Sequence, residues 1–136
     1  MSNTRFSTAL HVLTLLAKNQ EDWVSSDFIA GSICINPVMV RRELSSLNEA
    51  GLIYSRKGKD GGSKLSKKPE EISLGEVYLA VKNSEILGKK NKDTNSNCPV
   101  GSRINRKLEE LSHEADRLLR QYLDKKSLAE FAKGFD

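Results

Sequence analysis

Residues 25–51 (SSDFIAGSICINPVMVRRELSSLNEAG) constrain the fold more than any other stretch of the chain. The first half repeats apolar side chains at Phe28, Ile29 and Ile33, the second at Val40, Leu44 and Leu47. Between them stands Asn36-Pro37. Asn is a favoured N-cap and Pro is tolerated at the first helical position, so the second helix begins there. Gly51 ends it, because Gly accepts the left-handed backbone that closes many helices. Two short helices joined so tightly predict a helix-turn-helix. The second carries Val38, Met39, Arg41 and Arg42 in its first two turns, the end that a DNA-reading helix presents to base edges.

Charge supports that reading through its distribution. The 136 residues carry a net +4, and residues 1–68 hold all of it, with 10 Lys and Arg against 6 Asp and Glu. Within residues 37–68 the ratio is 8 to 3, whereas residues 69–136 balance at 12 to 12. Positive charge concentrated on the helix-turn-helix and the segment behind it suits a surface that neutralises phosphates. A hydrophobic content of 38% allows one domain with a real core and an appended element. Apolar runs are broken by charge before a bilayer could be crossed, and the start, MSNTRFSTAL, lacks an export signal. Two cysteines are too few for a stapled secreted scaffold. The expectation is a cytoplasmic protein with no membrane partner.

In chain order, residues 4–18 place Phe6, Leu10, Leu13 and Leu16 at helical spacing, an amphipathic first helix. Arg5 near its start is a candidate phosphate contact. His11 falls among apolar neighbours, with no second ligand at metal spacing, and is expected to be a core or half-buried histidine. Trp23-Val24 reads as a very short strand leading into an N-cap at Ser25 or Ser26. After Gly51, a β-prone run at Leu52–Ser55, a basic glycine turn (Arg56-Lys57-Gly58-Lys59-Asp60-Gly61-Gly62) and Ser63–Ser66 predict a β-hairpin. A hairpin placed directly behind a helix-turn-helix is the wing of a winged helix. Its Arg56, Lys57, Lys59 and Lys64 become candidate DNA contacts, along the backbone or in the minor groove.

Ser73-Leu74-Gly75-Glu76 is a capping box opening a helix with Leu74, Val77, Tyr78 and Val81 inward. From Gly88 to Ser102 the chain loses its apolar residues almost entirely, which predicts a mobile loop carrying Cys98. Along Arg103–Lys126, Ile104, Leu108, Leu111, Ala115, Leu118 and Tyr122 follow at intervals of 4, 3, 4, 3 and 4, a heptad seam. A helix of about two dozen residues, roughly 36 Å long, exceeds what so small a core can cover, so the seam is expected to be a homodimer interface. Ser127-Leu128-Ala129-Glu130 caps a short terminal helix. The predicted fold is mainly α, a winged helix-turn-helix with a small β-hairpin wing plus a long C-terminal dimerisation helix. The expected divisions are 1–83 for the DNA-binding domain with its connecting helix, 84–102 for the cysteine-bearing loop, and 103–136 for the dimerisation and terminal helices. No phosphate-binding glycine loop, paired-His metal motif or nucleophile elbow is present, which argues against an enzyme.

Several of these pieces together resemble the Rrf-two family of bacterial winged-helix regulators, to which IscR, NsrR and CymR belong. They are Ile29-Ala30, Asn36-Pro37-Val38-Met39-Val40-Arg41-Arg42, Leu47-Asn48-Glu49-Ala50-Gly51-Leu52-Ile53 and Gly58-Lys59-Asp60-Gly61-Gly62. Leu65, Pro69 and Ile72-Ser73-Leu74 extend the likeness over nearly the whole chain. The resemblance implies a homodimeric, sequence-specific binder of double-stranded operator DNA, most often a repressor. Its recognition helix would enter the major groove and its wing would touch the minor groove. Three features depart from the family. Ser63 stands where many members have an aromatic. Lys57 precedes the first wing glycine where many have Arg, and Lys lacks the planar fork. Members that bind an iron–sulfur cluster carry three cysteines in the loop before the dimer helix, and here only Cys98 remains. Neither His11 nor His113 is spaced to help, so no cofactor is expected and a cluster is argued against.

Cys34, in the turn of the helix-turn-helix, and Cys98 are both expected to be exposed, and exposed cytosolic thiols suggest oxidant sensing. In the family that this chain resembles, the loop before the dimer helix lies near the partner subunit's DNA-binding half. A Cys34–Cys98 bridge between subunits that releases the operator is therefore conceivable; inert thiols are the plain alternative. Two further alternatives stay open. The same DNA-binding role could be controlled by a small ligand or partner protein, or the winged helix could serve as a protein-interaction module.

Overall fold

The computed structural model describes residues 4–82 and 86–136. They form six α-helices: α1 (Arg5–Lys18), α2 (Ser26–Ile33), α3 (Pro37–Glu49), α4 (Leu74–Val81), α5 (Ile104–Asp124) and α6 (Leu128–Lys133). Between α3 and α4 lie strands β1 (Ile53–Arg56) and β2 (Gly62–Leu65) and a 3-10 turn at Pro69–Glu71. The chain divides into two units, Met1–Lys82 with Leu123–Asp136, and Asn83–Tyr122.

The first unit is assembled around α1. Ala9, Val12 and Leu13 are fully buried, and Val40, Leu44 and Leu47 of α3 meet them in one core with Ile29, Leu52, Ile72, Val77 and Leu128. Leu128 belongs to α6, so the terminal helix joins this unit, not the long helix with which the 103–136 division grouped it. Two side-by-side caps hold it there. Ser73 and Ser127 cap α4 and α6 by accepting from the backbone N–H of Glu76 and Glu130, each at 3.1 Å. The two serines also form an antiparallel bridge, with Leu74 N–H on Lys126 O at 2.9 Å and Leu128 N–H on Ile72 O at 2.8 Å. Gly75 lets the Asp124 carboxylate lie close, since a Cβ there would overlap it and displace that side chain.

The strands pair antiparallel, Ile53 with Leu65 through Arg56 with Gly62, leaving residues 57–61 as the tip of the hairpin. Trp23-Val24 adds a third short strand in the form of a single bridge between Val24 and Ser63, closed by bonds of 3.1 and 2.9 Å. Gly62 allows the approach, since a Cβ would meet the Val24 carbonyl oxygen at 2.6 Å.

The second unit begins outside the described residues, which exclude 84 and 85 of the expected loop. From residue 86 the chain runs through turns tied by side chains: Thr94 Oγ1 donates to Gly101 O at 2.6 Å and Asn105 Nδ2 to Asn91 O at 2.8 Å. Low apolar content here is compensated by polar cross-links to its own backbone. Helix α5 follows, 21 residues, or about 32 Å at ~1.5 Å per residue.

Arg5 does not point to open solvent. Its Nε and Nη2 donate to the Glu43 carboxylate at 3.0–3.3 Å and Nη2 also to Ser46 Oγ at 2.9 Å. The Glu43 side chain is only 5% exposed, so this candidate phosphate contact is engaged inside the protein. Removing one partner of an enclosed pair strands the other charge. Arg5→Ala is therefore expected to destabilise the fold by about 2 kcal/mol, read by urea denaturation at fixed protein concentration; a loss under ~0.5 kcal/mol, typical of an exposed pair, would refute the structural role.

Candidate nucleic-acid interface

Helix α3 is built to show one face and hide the other. Asn36 caps it, its Oδ1 accepting from Val38 N–H at 2.8 Å, and Pro37 occupies the first turn. Gly51, at φ +76, closes it, with Leu52 N–H on Leu47 O at 3.0 Å. At about 100° per residue, burying Val40, Leu44 and Leu47 turns positions 38, 41, 42 and 45 outward. Val38 is 63% exposed and Met39 46%, and both Arg41 and Arg42 are exposed. Two solvent-facing apolar side chains beside two guanidiniums, at a helix N-terminus, match what base edges and phosphates require. No need of the fold explains them.

The wing adds Lys57 and Lys59, both exposed at the hairpin tip. Arg56 and Lys64 have a different environment. The Arg56 guanidinium lies 4.6 Å from the Trp23 ring centre and donates to Asp60 O. Lys64 Nζ lies 5.3 Å from the same ring and donates to Glu21 O at 3.3 Å. Cation–π contact holds both at the root of the hairpin. There they set the wing's direction and keep their charge close to the surface.

Sequence reasoning missed this role of Trp23, which was visible only as a β-prone residue. It also missed a relay that ties wing to recognition helix. Asn48 Nδ2 donates to Leu44 O at 3.1 Å and to Ser55 Oγ at 2.8 Å, and Ser55 Oγ meets Ser63 Oγ at 3.3 Å. Ser63 is 2% exposed. Its hydroxyl fits a closed polar contact, which accounts for a serine where an aromatic is common. Phe28, part of the apolar repeat of the first helix, is 55% exposed. It lines a cleft with Trp23 and Lys59, between the start of α2 and the wing.

Cys34 sits at a helix end and Cys98 in the segment ahead of α5. Cys34 closes α2 in the left-handed conformation, φ 63, and is exposed. It is the one non-glycine with positive φ among the described residues. Its N–H bonds Ala30 O at 2.8 Å, and its thiol points to Gly31 O at 3.6 Å. Cys98 is partly exposed, just before the turns that start α5. Backbone N–H groups of Gly101 and Val100 reach its sulfur and lower its pKa below the usual thiol value. The seam of α5 stands uncovered at Leu111, Leu118 and Tyr122, which are 58%, 54% and 59% exposed, while Ile104, Leu108 and Ala115 are partly exposed.

The family model described as "Rrf2: Iron-dependent Transcriptional regulator" matches residues 2–134. The chain is similar to the Bacillus subtilis protein YwnA, designated an HTH-type transcriptional regulator, at 41% identity over 94% of both chains. A solved structure described as a DNA-binding protein is 38% identical, with a TM-score of 0.72 over 93% of this chain and 97% of the other. The fold also matches CymR, the global cysteine regulator of B. subtilis, at 22% identity and a TM-score of 0.71 over 100% and 98% of the two chains. The word "iron" in the family description invites a test of the donor set. The loop before α5 offers one thiolate, Cys98, and among the described residues no three His, Cys, Asp or Glu side chains converge. One thiolate does not fit an iron–sulfur cluster.

Arg42 is exposed on the outward face of α3 and Lys59 at the hairpin tip, and the two positions carry different expectations. Arg42→Ala is expected to cost about 1–3 kcal/mol on a specific site and much less on unrelated DNA. Lys59→Ala is expected to weaken both similarly and to reduce the salt slope by about one. Fluorescence anisotropy on both DNAs checks the contrast, and equal losses for Arg42→Ala would remove its reading role.

Proposed function

The chain belongs to the Rrf2 family of transcriptional regulators, and from that premise we propose that it works as a homodimeric repressor on a two-part operator in double-stranded DNA. It is a regulator and not an enzyme. The observation that carries the DNA-binding reading is the outward face of α3, where Val38, Met39, Arg41 and Arg42 are exposed on a helix capped and packed from behind. Exposed apolar side chains at the start of a basic helix have a role against bases and none in solvent.

The dimer reading rests on α5. Leu111, Leu118 and Tyr122 lie 7 and 4 residues apart, one stripe of a helix. Burying such side chains against a second copy is favourable by about 2 kcal/mol each, and two-fold symmetry doubles the sum. Two recognition helices at a fixed spacing then read two half-sites. Among the described residues no helix is long and apolar enough to cross a membrane, and the proposed place of action is the cytoplasm, with the DNA.

Control is proposed to run through thiols, not through iron. Hydrogen peroxide would take two electrons from the Cys34 and Cys98 thiols, its O–O bond breaking as the sulfurs join and two waters leaving with the two thiol protons. Cys98 is the expected first reactant, because its lowered pKa keeps more of it as thiolate near pH 7. Cys34 supports the reading in another way. A β-carbon at φ 63 is strained by roughly 1 kcal/mol where glycine would not be, yet a cysteine stands there. A bridge from that turn to the second subunit would shift the recognition helices.

Two measurements test these readings. Sedimentation should give a dimer, and operator affinity should fall about a thousandfold between ~50 and ~200 mM salt; a monomer would sink the two-site reading, and salt-independent binding would favour the protein-interaction alternative. After mild peroxide, non-reducing electrophoresis should show a covalent dimer that disappears in Cys34→Ser and Cys98→Ser, with DNA release in parallel. Oxidation without that band would count against the switch and leave a small ligand or partner protein as the controller.

A further inference from the structure

A cavity of about 430 Å³ opens between α1 and the C-terminal end of the chain, away from the recognition helix and the wing. Phe6, Leu10 and Leu15 of α1 form one wall, and Phe131 and Phe135 the other. Neither the fold nor DNA contact accounts for the two phenylalanines. They are 38% and 62% exposed, yet their rings pack against each other, centres 5.6 Å apart. Leu15 is only half-buried beside them. Exposed aromatics gathered round a hollow usually mark a binding site, and this volume falls within the range that small-molecule sites occupy, about 300–1,000 Å³.

The polar groups of the cavity are few. His11 Nε2 and Ser32 Oγ meet at 2.9 Å, joining α1 to the last turn of α2. Thr14 is satisfied by Leu10 O at 2.7 Å. Lys18 also lines the cavity, and its ammonium is ion-paired with the side-chain carboxylate of Asp136. The Lys18 and Asp136 side chains are 34% and 65% exposed, so this pair is wet and readily exchanged. Asp136 therefore acts as a stand-in: it shows that Lys18 presents its charge to a carboxylate at this point.

We propose that this cavity binds a small monocarboxylic acid with an aromatic or similarly compact apolar body, its carboxylate replacing Asp136 on Lys18. The apolar body would lie between the α1 leucines and the two phenylalanines, where it removes exposed aromatic surface from water. The far end would reach the His11–Ser32 pair. Ser32 is two residues from Cys34, in the turn that aims α3, so an occupant that moves this contact changes the angle of the recognition helix. Only this regulatory consequence rests on the DNA-binding reading; the cavity and its ligand class do not.

Isothermal titration of the full chain with 4-phenylbutyrate and with 4-phenylbutan-1-ol tests the proposal. The two probes share a body and differ in the charged group. The acid should bind saturably, one per chain, and about tenfold more tightly than the alcohol. Lys18→Gln, on the surface, should reduce the acid to the level of the alcohol and leave the alcohol unchanged. Leu15→Trp, filling the hollow, should abolish both, with circular dichroism confirming that the variant folds. No saturable binding, equal affinity for the two probes, or an acid preference that survives Lys18→Gln would overturn the proposal. So would a drop in sedimenting mass on Phe135→Ser, since a second copy of the chain would then be the occupant. Titrations are run without DNA, so a failure of operator binding is seen separately and leaves this result standing.

Discussion

The enclosed pair of Arg5 and Glu43 is the constraint on which the rest depends. Glu43 lies in the middle of the helix whose opposite face is to meet phosphates, and a carboxylate free to swing outward there would repel them. Both its oxygens are instead held by Arg5, so the negative charge is neutralised on the inner side and Arg41 and Arg42 act outward unopposed. The same contact pins the first residue of α1 to the centre of α3. With Leu10, Leu13 and Leu16 packed behind it, the first helix becomes the rigid back of the reading helix. Enclosed ion pairs add little net stability over an apolar pair of equal volume, but they penalise every arrangement in which one partner is left alone. Here the pair selects one angle between two helices.

A wing has a harder problem, since a two-stranded hairpin is marginal by itself. It is made firm from three sides. Val24 adds a bridge at Ser63 where Gly62 lets the backbones approach, Trp23 holds Arg56 and Lys64 at the root, and the Asn48–Ser55–Ser63 relay fastens the strands to the end of α3. Two of the wing's cations are thus committed to building it. Lys57 and Lys59 at the tip stay exposed, and on the proposed reading they are the ones that would meet the DNA backbone. A stiff wing matters because each backbone contact made without ordering a loop avoids an entropy cost of about 1–2 kcal/mol per residue.

Much of this was legible in the sequence, and the reason is local chemistry. Asn36-Pro37, Gly51, Ser73 with Glu76, and Ser127 each act within a few residues, through one cap or one φ angle, and all appear where the sequence places them. The positive φ at Cys34 is local as well, a property of the single residue that closes α2. Long-range partners were not legible. Nothing within four residues of Arg5 distinguishes an internal partner of Glu43, 38 residues on, from a phosphate ligand. Trp23 reads as a strand residue until two cations from the hairpin are laid on its face. Phe28 obeys helical periodicity yet faces a cleft, because a short helix at the edge of a core cannot bury every apolar position.

Oxidation of Cys34 and occupation of the cavity beside Ser32 would meet at the last turn of α2. That turn is held lightly. Ala30 O alone receives both Cys34 N–H, at 2.8 Å, and Ile35 N–H, at 3.2 Å, and the His11–Ser32 bond is exposed. The backbone at Cys34 already sits in a region that costs a non-glycine residue energy. At such a joint a coupling of about 1–3 kcal/mol would change operator affinity by some 5- to 150-fold. Linkage also runs in reverse. DNA that holds α3 at its reading angle would hold the turn as well, and so would shift the thiol–disulfide equilibrium and the affinity of the cavity, each by the coupling that links it to operator binding. Inputs of different chemistry would then act on one mechanical variable, the angle that Arg5 and Glu43 define from the other side of the helix.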